Sequence, residues 1–162
     1  MQPDAAKAAP LVCALWGTQM IEIREALAGD IEGINIVSTY LGYSPSSIEV
    51  ATNRLEEIIA SDSDHVWVYL EDNTVKGWLH LFVSLRLASP KFAEIGGLVV
   101  DESSRRKGIG GKLVGEAIKW SKVNQLPLRV RCNTNREQAT RFYESLGFVT
   151  KKTQKIHEFS SS

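Results

Sequence analysis

Little in this sequence marks a disulfide scaffold, a metal module or a membrane protein. Only two cysteines occur in 162 residues, Cys13 and Cys132. They make no metal-ligand spacing and no disulfide framework, so a reducing cytoplasm is the expected setting and no metal is expected. No apolar run approaches the ~20 residues of a membrane span, so no membrane partner is expected. There is no internal repeat, and no low-complexity stretch beyond the closing serines. The aromatics are not interleaved with the basic run, as a stacking surface for nucleic acid would need, so no nucleic-acid partner is expected.

The bulk that remains is ordinary for a soluble globular chain, with 43% hydrophobic and 23% charged residues. That length and balance suit one domain around one core. Net charge is zero but unevenly spread: residues 101–162 hold 13 Lys/Arg against 6 Asp/Glu, and residues 1–100 hold 6 against 13. A basic half suits a polyanionic ligand and an acidic half a cationic partner, although solvated faces have the same composition.

Residues 1–19 read as an extension outside the core fold, and residues 20–162 as the domain. Ala5 to Trp16 is small and apolar. Asp4 stands where a signal peptide would be positive, Pro10 breaks the apolar run, and no cleavage site is evident. Patterned sequence begins at Met20. Met20 to Ala26 alternates and predicts a strand. Asp30 is the expected N-cap of a helix to about Tyr40, and Gly42 and Pro45 break it. Ser46-x-x-Glu49 is a capping box for a second helix to about Ala60. Val66–Leu70 and Val75–Leu85 are strands about a turn at Glu71–Thr74, with Ser89-Pro90 ending that region. Phe92–Val100 is the next strand, followed by a helix over Ile109–Val123 and a strand over Leu128–Cys132. Thr134-x-x-Glu137 is a further capping box, for a helix through about Leu146 that stops at Gly147. Phe148–Thr150 and Thr153–Phe159 predict two last strands.

The most informative stretch joins the Phe92–Val100 strand to the Ile109 helix. Arg105, Arg106 and Lys107 meet Gly108, Gly110 and Gly111 where the helix begins. The first N–H groups of a helix lack intrahelical partners and carry partial positive charge. Glycines let a ligand approach the main chain, and the three cations add full charge. Together they suit a phosphate or pyrophosphate. The spacing is not that of a P-loop, whose first glycine would fall on Arg106 and whose Ser/Thr would fall on Leu113. Nor is it the dinucleotide fingerprint, whose third glycine would again fall on Leu113.

What fits is Arg105-x-x-Gly108-x-Gly110, which resembles the acyl-CoA pyrophosphate loop of the GNAT superfamily of acyltransferases. Phe142-Tyr143-Glu144-Ser145-Leu146-Gly147-Phe148 is similar to the superfamily's F-Y-E-x-L-G-F segment. The predicted element order agrees, and the resemblance spans roughly Ile21 to Phe159. It implies an α/β (α+β) fold. A single domain would have a mixed, mostly antiparallel sheet of about seven strands, splayed between the fourth and fifth and flanked by four helices. It implies acetyl transfer from acetyl-CoA to an amine by direct attack. The acceptor would be a small cationic amine, with a protein amine as a further possibility and a homodimer as a plausible assembly. A non-catalytic acyl-CoA-binding module on the same fold is the alternative.

The resemblance also implies site residues. The backbone of Leu98, Val99 and Val100 would pair with the pantetheine arm. Arg105, Arg106, Lys107, Gly108, Ile109, Gly110 and Gly111 would hold the pyrophosphate. Gly96-Gly97 would make the bulge that splays the strand, or else permit close packing. Glu94 is the candidate base, directly or through water, and His80 is the alternative. Tyr143 matches the superfamily's general-acid tyrosine. Where many members carry a CoA-contacting asparagine this chain has Arg136; Asn135 beside it would replace that contact or serve as a helix N-cap. Tyr40, Tyr43, Trp78, His80 and Phe82 are candidate walls of the acceptor pocket, or core. Cys132 reads as a small filler rather than a nucleophile.

Overall fold

Period-two alternation and turn chemistry build one sheet. The structure, a computed structural model, describes residues 19–161. Strands β1 (Ile21–Glu25), β2 (Asp64–Glu71), β3 (Thr74–Arg86), β4 (Ser89–Val100) and β5 (Leu128–Val130) lie side by side in chain order. The first four are antiparallel to their neighbours, and β5 joins β4 in parallel. The β2–β3 hairpin turns on Asp72 and Asn73, at φ 48° and 62°. Two successive left-handed residues are what a I′ turn requires, and Asp and Asn tolerate them best after glycine.

The helices are α1 (Ile31–Ser38), α2 (Ile48–Ala60), α3 (Ile109–Val123) and α4 (Glu137–Ser145). Along β2 the side chains alternate between faces. Val66, Val68 and Leu70 pack with Val37 of α1 and Val99 of β4, and Ile34 and Ile58 close over them. On the opposite face His65 meets Trp120 of α3 with ring centroids 4.6 Å apart, and Lys112 lies 5.6 Å from the Tyr69 ring centre. The α3 stripe of Ile109, Leu113, Val114 and Ala117 is buried. The first of two units of the chain ends at Val130, and the second begins at Arg131 and holds α4.

Several sequence expectations are corrected. The sheet has five strands rather than about seven among the described residues. Residues 149–161 form no strand. Val149, Ile156 and Phe159 are 72%, 85% and 94% exposed, so their alternating pattern finds no face to bury. Asp30 does not cap α1. Its carboxylate accepts two bonds from Arg24, at 2.7 and 2.9 Å, and one from the Leu27 N–H. Ser47, not Ser46, caps α2, its Oγ accepting from the Val50 N–H at 3.3 Å. Thr134 caps nothing; α4 starts at Glu137 without a side-chain cap. Ser89-Pro90 opens β4 instead of ending a strand region. The expected extension, residues 1–19 with Cys13, lies outside the described residues except for Gln19. Gln19 Nε2 donates to Glu71 at 3.1 Å.

Candidate active site

β4 changes partners partway along. Ala93, Glu94 and Ile95 pair with Leu128, Arg129 and Val130 of β5, and the ladder stops there. On its other side β4 stays with β3 to Val100, but His80 faces Gly97 while Leu81 faces Ile95. Gly96 is therefore an extra, unopposed residue, the bulge expected of Gly96-Gly97. The close-packing role holds as well. A Cβ on Gly97 would stand 2.9 Å from the Trp78 ring, and one on Gly96 3.1 Å from the Phe82 ring. Past the bulge, Leu98, Val99 and Val100 pair only with β3 among the described strands. Their outward N–H and C=O groups are the kind of edge that an amide-rich chain can satisfy.

The basic loop follows directly. Asp101 fixes its start, accepting from the Ser103 N–H and Oγ at 3.0 Å each and from Lys76 Nζ at 3.3 Å. Burial pushes the Asp101 carboxyl up, but these bonds together outweigh it and hold it below the ordinary range. Arg106 takes φ 65° and Gly108 φ 77°, and Ile109 then begins α3. The left-handed Gly108 has no atom within 4 Å of where a Cβ would be, so conformation rather than crowding selects glycine there. The first α3 bond runs from the Lys112 N–H to the Gly108 carbonyl at 3.1 Å. The N–H groups of Ile109, Gly110 and Gly111 precede it and lack intrahelical acceptors. Arg105, Arg106 and Lys107 are exposed around them. Arg105 also lies 5.8 Å from the centre of the Tyr40 ring.

A cavity of about 280 Å³ lies between α1, α2 and the sheet. Of the expected walls it holds Tyr43, Trp78 and His80; Tyr40 and Phe82 are not among its lining. Tyr40 stands at Arg105 instead, and Phe82 pairs with Glu94 across the β3–β4 ladder. Trp78 is oriented by a bond from Nε1 to Ser38 Oγ at 3.1 Å. His80 Nε2 is 2.7 Å from Asp64 Oδ1, and Asp64 Oδ2 accepts from Ser61 Oγ at 2.7 Å. Burial raises the Asp64 carboxyl, but the bonds from Ser61 and His80 prevail and hold it lower than usual. With Nε2 tied to a carboxylate, the other ring nitrogen, Nδ1, is the one left to face a ligand. Nδ1 lies toward the bulge, 3.5 Å from where a Gly96 Cβ would be.

Glu94 is buried, only 6% exposed, on the same face as Phe82 and His80. A solvent-facing strand carboxylate is thereby excluded. The second unit carries Tyr143 on α4. The Phe148 N–H bonds the Tyr143 carbonyl at 3.1 Å and the Gly147 N–H bonds the Glu144 carbonyl at 3.0 Å. With Gly147 at φ 93° this is a Schellman cap, completed by the Tyr143 and Phe148 rings at 5.5 Å. The F-Y-E-x-L-G-F segment is thus a helix stop that fixes the tyrosine, and it spends the Phe148 N–H expected to begin a strand. Burial first, and then the Cys132 sulfur, push the Tyr143 hydroxyl up to about 12. Cys132 is half-buried, and burial raises its thiol, which suits a filler. Asn135 is exposed and is not the helix N-cap; its N–H bonds Asn133 Oδ1 at 3.0 Å.

Sequence reasoning missed Asp64, Ser61, Ser38 and Arg54. Each was readable as a loop or helix-surface residue; only the register of β2 on β3 brings Asp64, with Ser61, to His80, and only the seating of α1 and α2 brings Ser38 and Arg54 to the cavity.

The chain belongs to the acetyltransferase (GNAT) family, whose model matches residues 34–148. Most members of that family are acetyl-CoA-dependent N-acetyltransferases. Solved structures share the fold. Glucosamine-6-phosphate N-acetyltransferase from Arabidopsis thaliana is 22% identical over 87% of this chain and 99% of its own, with TM-score 0.76. A transcriptional regulator from Bacillus halodurans is 24% identical over 85% of this chain and 99% of its own, with TM-score 0.75. An aminoglycoside N-acetyltransferase solved in complex with CoA is 14% identical over 91% and 99%, with TM-score 0.75. Among curated proteins no sequence match is found. No helix among the described residues is long and apolar enough to cross a membrane.

Proposed function

We propose that this chain is an N-acetyltransferase that moves an acetyl group from acetyl-CoA to a small primary amine by direct attack in a ternary complex. The observation that carries the proposal is the parting of β4 from β5 at the Gly96 bulge, next to the open N-terminus of α3. The residues present fit acetyl-CoA. The outward edge of Leu98–Val100 suits its amide-rich arm. Arg105 through Gly111 offers three cations and unpartnered N–H groups for its diphosphate. Asn135 is a further candidate contact, from the family pattern.

Acetyl-CoA supplies an activated thioester; the chain must bind, orient and move protons. A backbone N–H near Leu98–Val99 would stabilise the negative oxygen that develops on the carbonyl, a contribution of roughly 2.7–4 kcal/mol per donor. The acceptor arrives as an ammonium with pKa near ~10.4 and must lose a proton. Two groups are candidates to take it. Glu94 matches the family position, but His80 lines the cavity and Glu94 does not, which favours His80 with Asp64 orienting it. Tyr143, kept protonated by burial, would return a proton to the leaving thiolate. Trp78, Tyr43 and His80 would border the acceptor.

Calorimetric titration with acetyl-CoA, followed by thiol release over a panel of amines, tests the proposal. Binding with turnover supports it, and His80→Gln should then lower turnover more than Glu94→Gln. Binding without turnover on any amine favours the acyl-CoA-binding module. Absence of binding would mean that the Arg105–Gly111 loop does not hold the diphosphate.

A further inference from the structure

We infer that the cavity bordered by His80 and Arg54 takes an amine bearing a carboxylate on an apolar body, and excludes polycations. The inference rests on the proposed function for the identity of the reacting group, and on the cavity wall for everything else.

Residues 1–100 hold 13 Asp/Glu, yet among the described residues none lines the cavity. Asp64 stands behind His80, with its two oxygens taken by His80 and Ser61. A polyamine or an aminoglycoside would bring several ammonium groups against a wall that offers no carboxylate. Stripping water from such charges without a partner is heavily unfavourable. One amine is different, because it is neutral once its proton has been taken.

The full charge in the wall is Arg54 of α2, which has no ion-pair partner among the described residues. It sits three residues after Ala51 and four before Ile58, both also in the wall, so its stem shares their face while its head stays exposed at the rim. A guanidinium presents a planar fork that matches a carboxylate in two parallel bonds. Much of the remaining wall is apolar, with Ile34, Leu41, Leu55, Ile58 and Val66, and its polar side chains, Asn35 and Ser38 among them, are uncharged. At about 280 Å³ the space is near the lower end of the ~300–1,000 Å³ of drug-sized pockets, which suits a small acceptor of amino-acid scale.

The test compares leucine and 6-aminohexanoate, each with its own amide, and includes spermidine. Two readouts are taken: acetyl-CoA-dependent thiol release, and direct calorimetric titration of the full chain. In at least one pair the acid should exceed its amide about tenfold, the worth of a charge-assisted pair, and spermidine should rank below that acid. Arg54→Gln should bring that acid down to its amide, and Arg54→Lys should restore part of the difference. Equal behaviour of acid and amide in both pairs, or preference for spermidine, overturns the inference. Preferential binding of the acid without thiol release would uphold the cavity assignment while overturning the proposed acetyl transfer. Thiol release with an amide-insensitive preference would do the reverse.

Discussion

Gly97 is the position where the architecture of the site is most directly open to test. Its φ is not in the left-handed region, so alanine is compatible with the backbone. The obstacle is space: a Cβ would lie 2.9 and 3.0 Å from two carbons of the Trp78 ring. Carbon atoms in contact sit at ~3.5–4.0 Å, so the ring must yield by about 0.6 Å. It is poorly placed to do so, because Nε1 is bonded to Ser38 Oγ at 3.1 Å and the ring packs on the Val37–Val68–Val99 cluster. Overpacking of this kind costs ~1–3 kcal/mol, and losing the Ser38 bond adds ~0.5–1.5. The reduced freedom of the unfolded chain returns only ~0.4–1 kcal/mol. Gly97→Ala should therefore destabilise by roughly 0.5–4 kcal/mol, a fall in Tm of about 1–16 °C for a chain of this size. Thermal unfolding followed by circular dichroism measures it. Gly115→Ala is the control: it is a helical glycine with nothing within 4 Å of its Cβ, and it should stabilise by ~0.5–1 kcal/mol. The reasoning fails if Gly97→Ala melts at or above the wild type. It also fails if Gly97→Ala costs as much in a Trp78→Leu background as in the wild type, since the clash would then lie elsewhere.

Three further outcomes are expected. Tyr143→Phe should lower turnover by about 10²-fold or more while acetyl-CoA affinity stays as it was; equal loss in both would make the residue structural. Gly110→Val should weaken acetyl-CoA binding in a calorimetric titration while the melting curve stays cooperative, and unchanged affinity would contradict the diphosphate assignment. Asp30→Asn should cost about 2–3 kcal/mol in urea unfolding at neutral pH, less than the ~3–5 of a fully enclosed pair, because Arg24 keeps 22% exposure. Burial raises the Asp30 carboxyl, but Arg24 and the Leu27 N–H overcome this and leave it low in the folded state. Its contribution is therefore complete above the unfolded value near ~3.9 and is lost as pH falls through the lower folded value, so wild type and variant should converge in acid.

Local physics written in consecutive residues was legible without coordinates. The alternation of β2 through β4, the α3 stripe and the Arg105–Gly111 loop all emerged where expected, because each depends on neighbours in the chain. So did the stop at Gly147, since a left-handed cap is a property of one glycine and the turn before it. Capping was less legible: Asp30 has the chemistry of an N-cap, but Arg24 on β1 holds its carboxylate, and that competition exists only once strand and helix are apposed. Phe148–Thr150 and Thr153–Phe159 have the period of strands, but a strand needs an edge to pair with and a face to bury, and sequence alone supplies neither. The loop that suits a diphosphate could be read from the seven consecutive residues Arg105 to Gly111. The cavity could not, because His80, Asp64, Ser38 and Arg54 come from four separate elements or their ends. The pairing register of β2 with β3 sets His80 against Asp64, and the packing of α1 and α2 on that face brings the rest. The sequence by itself determined most of the elements and the basic, glycine-rich turn before α3, through contacts within a few residues. The tertiary structure alone decided the walls of the cavity and their charge, because those depend on which distant side chains the sheet and helices bring to one place.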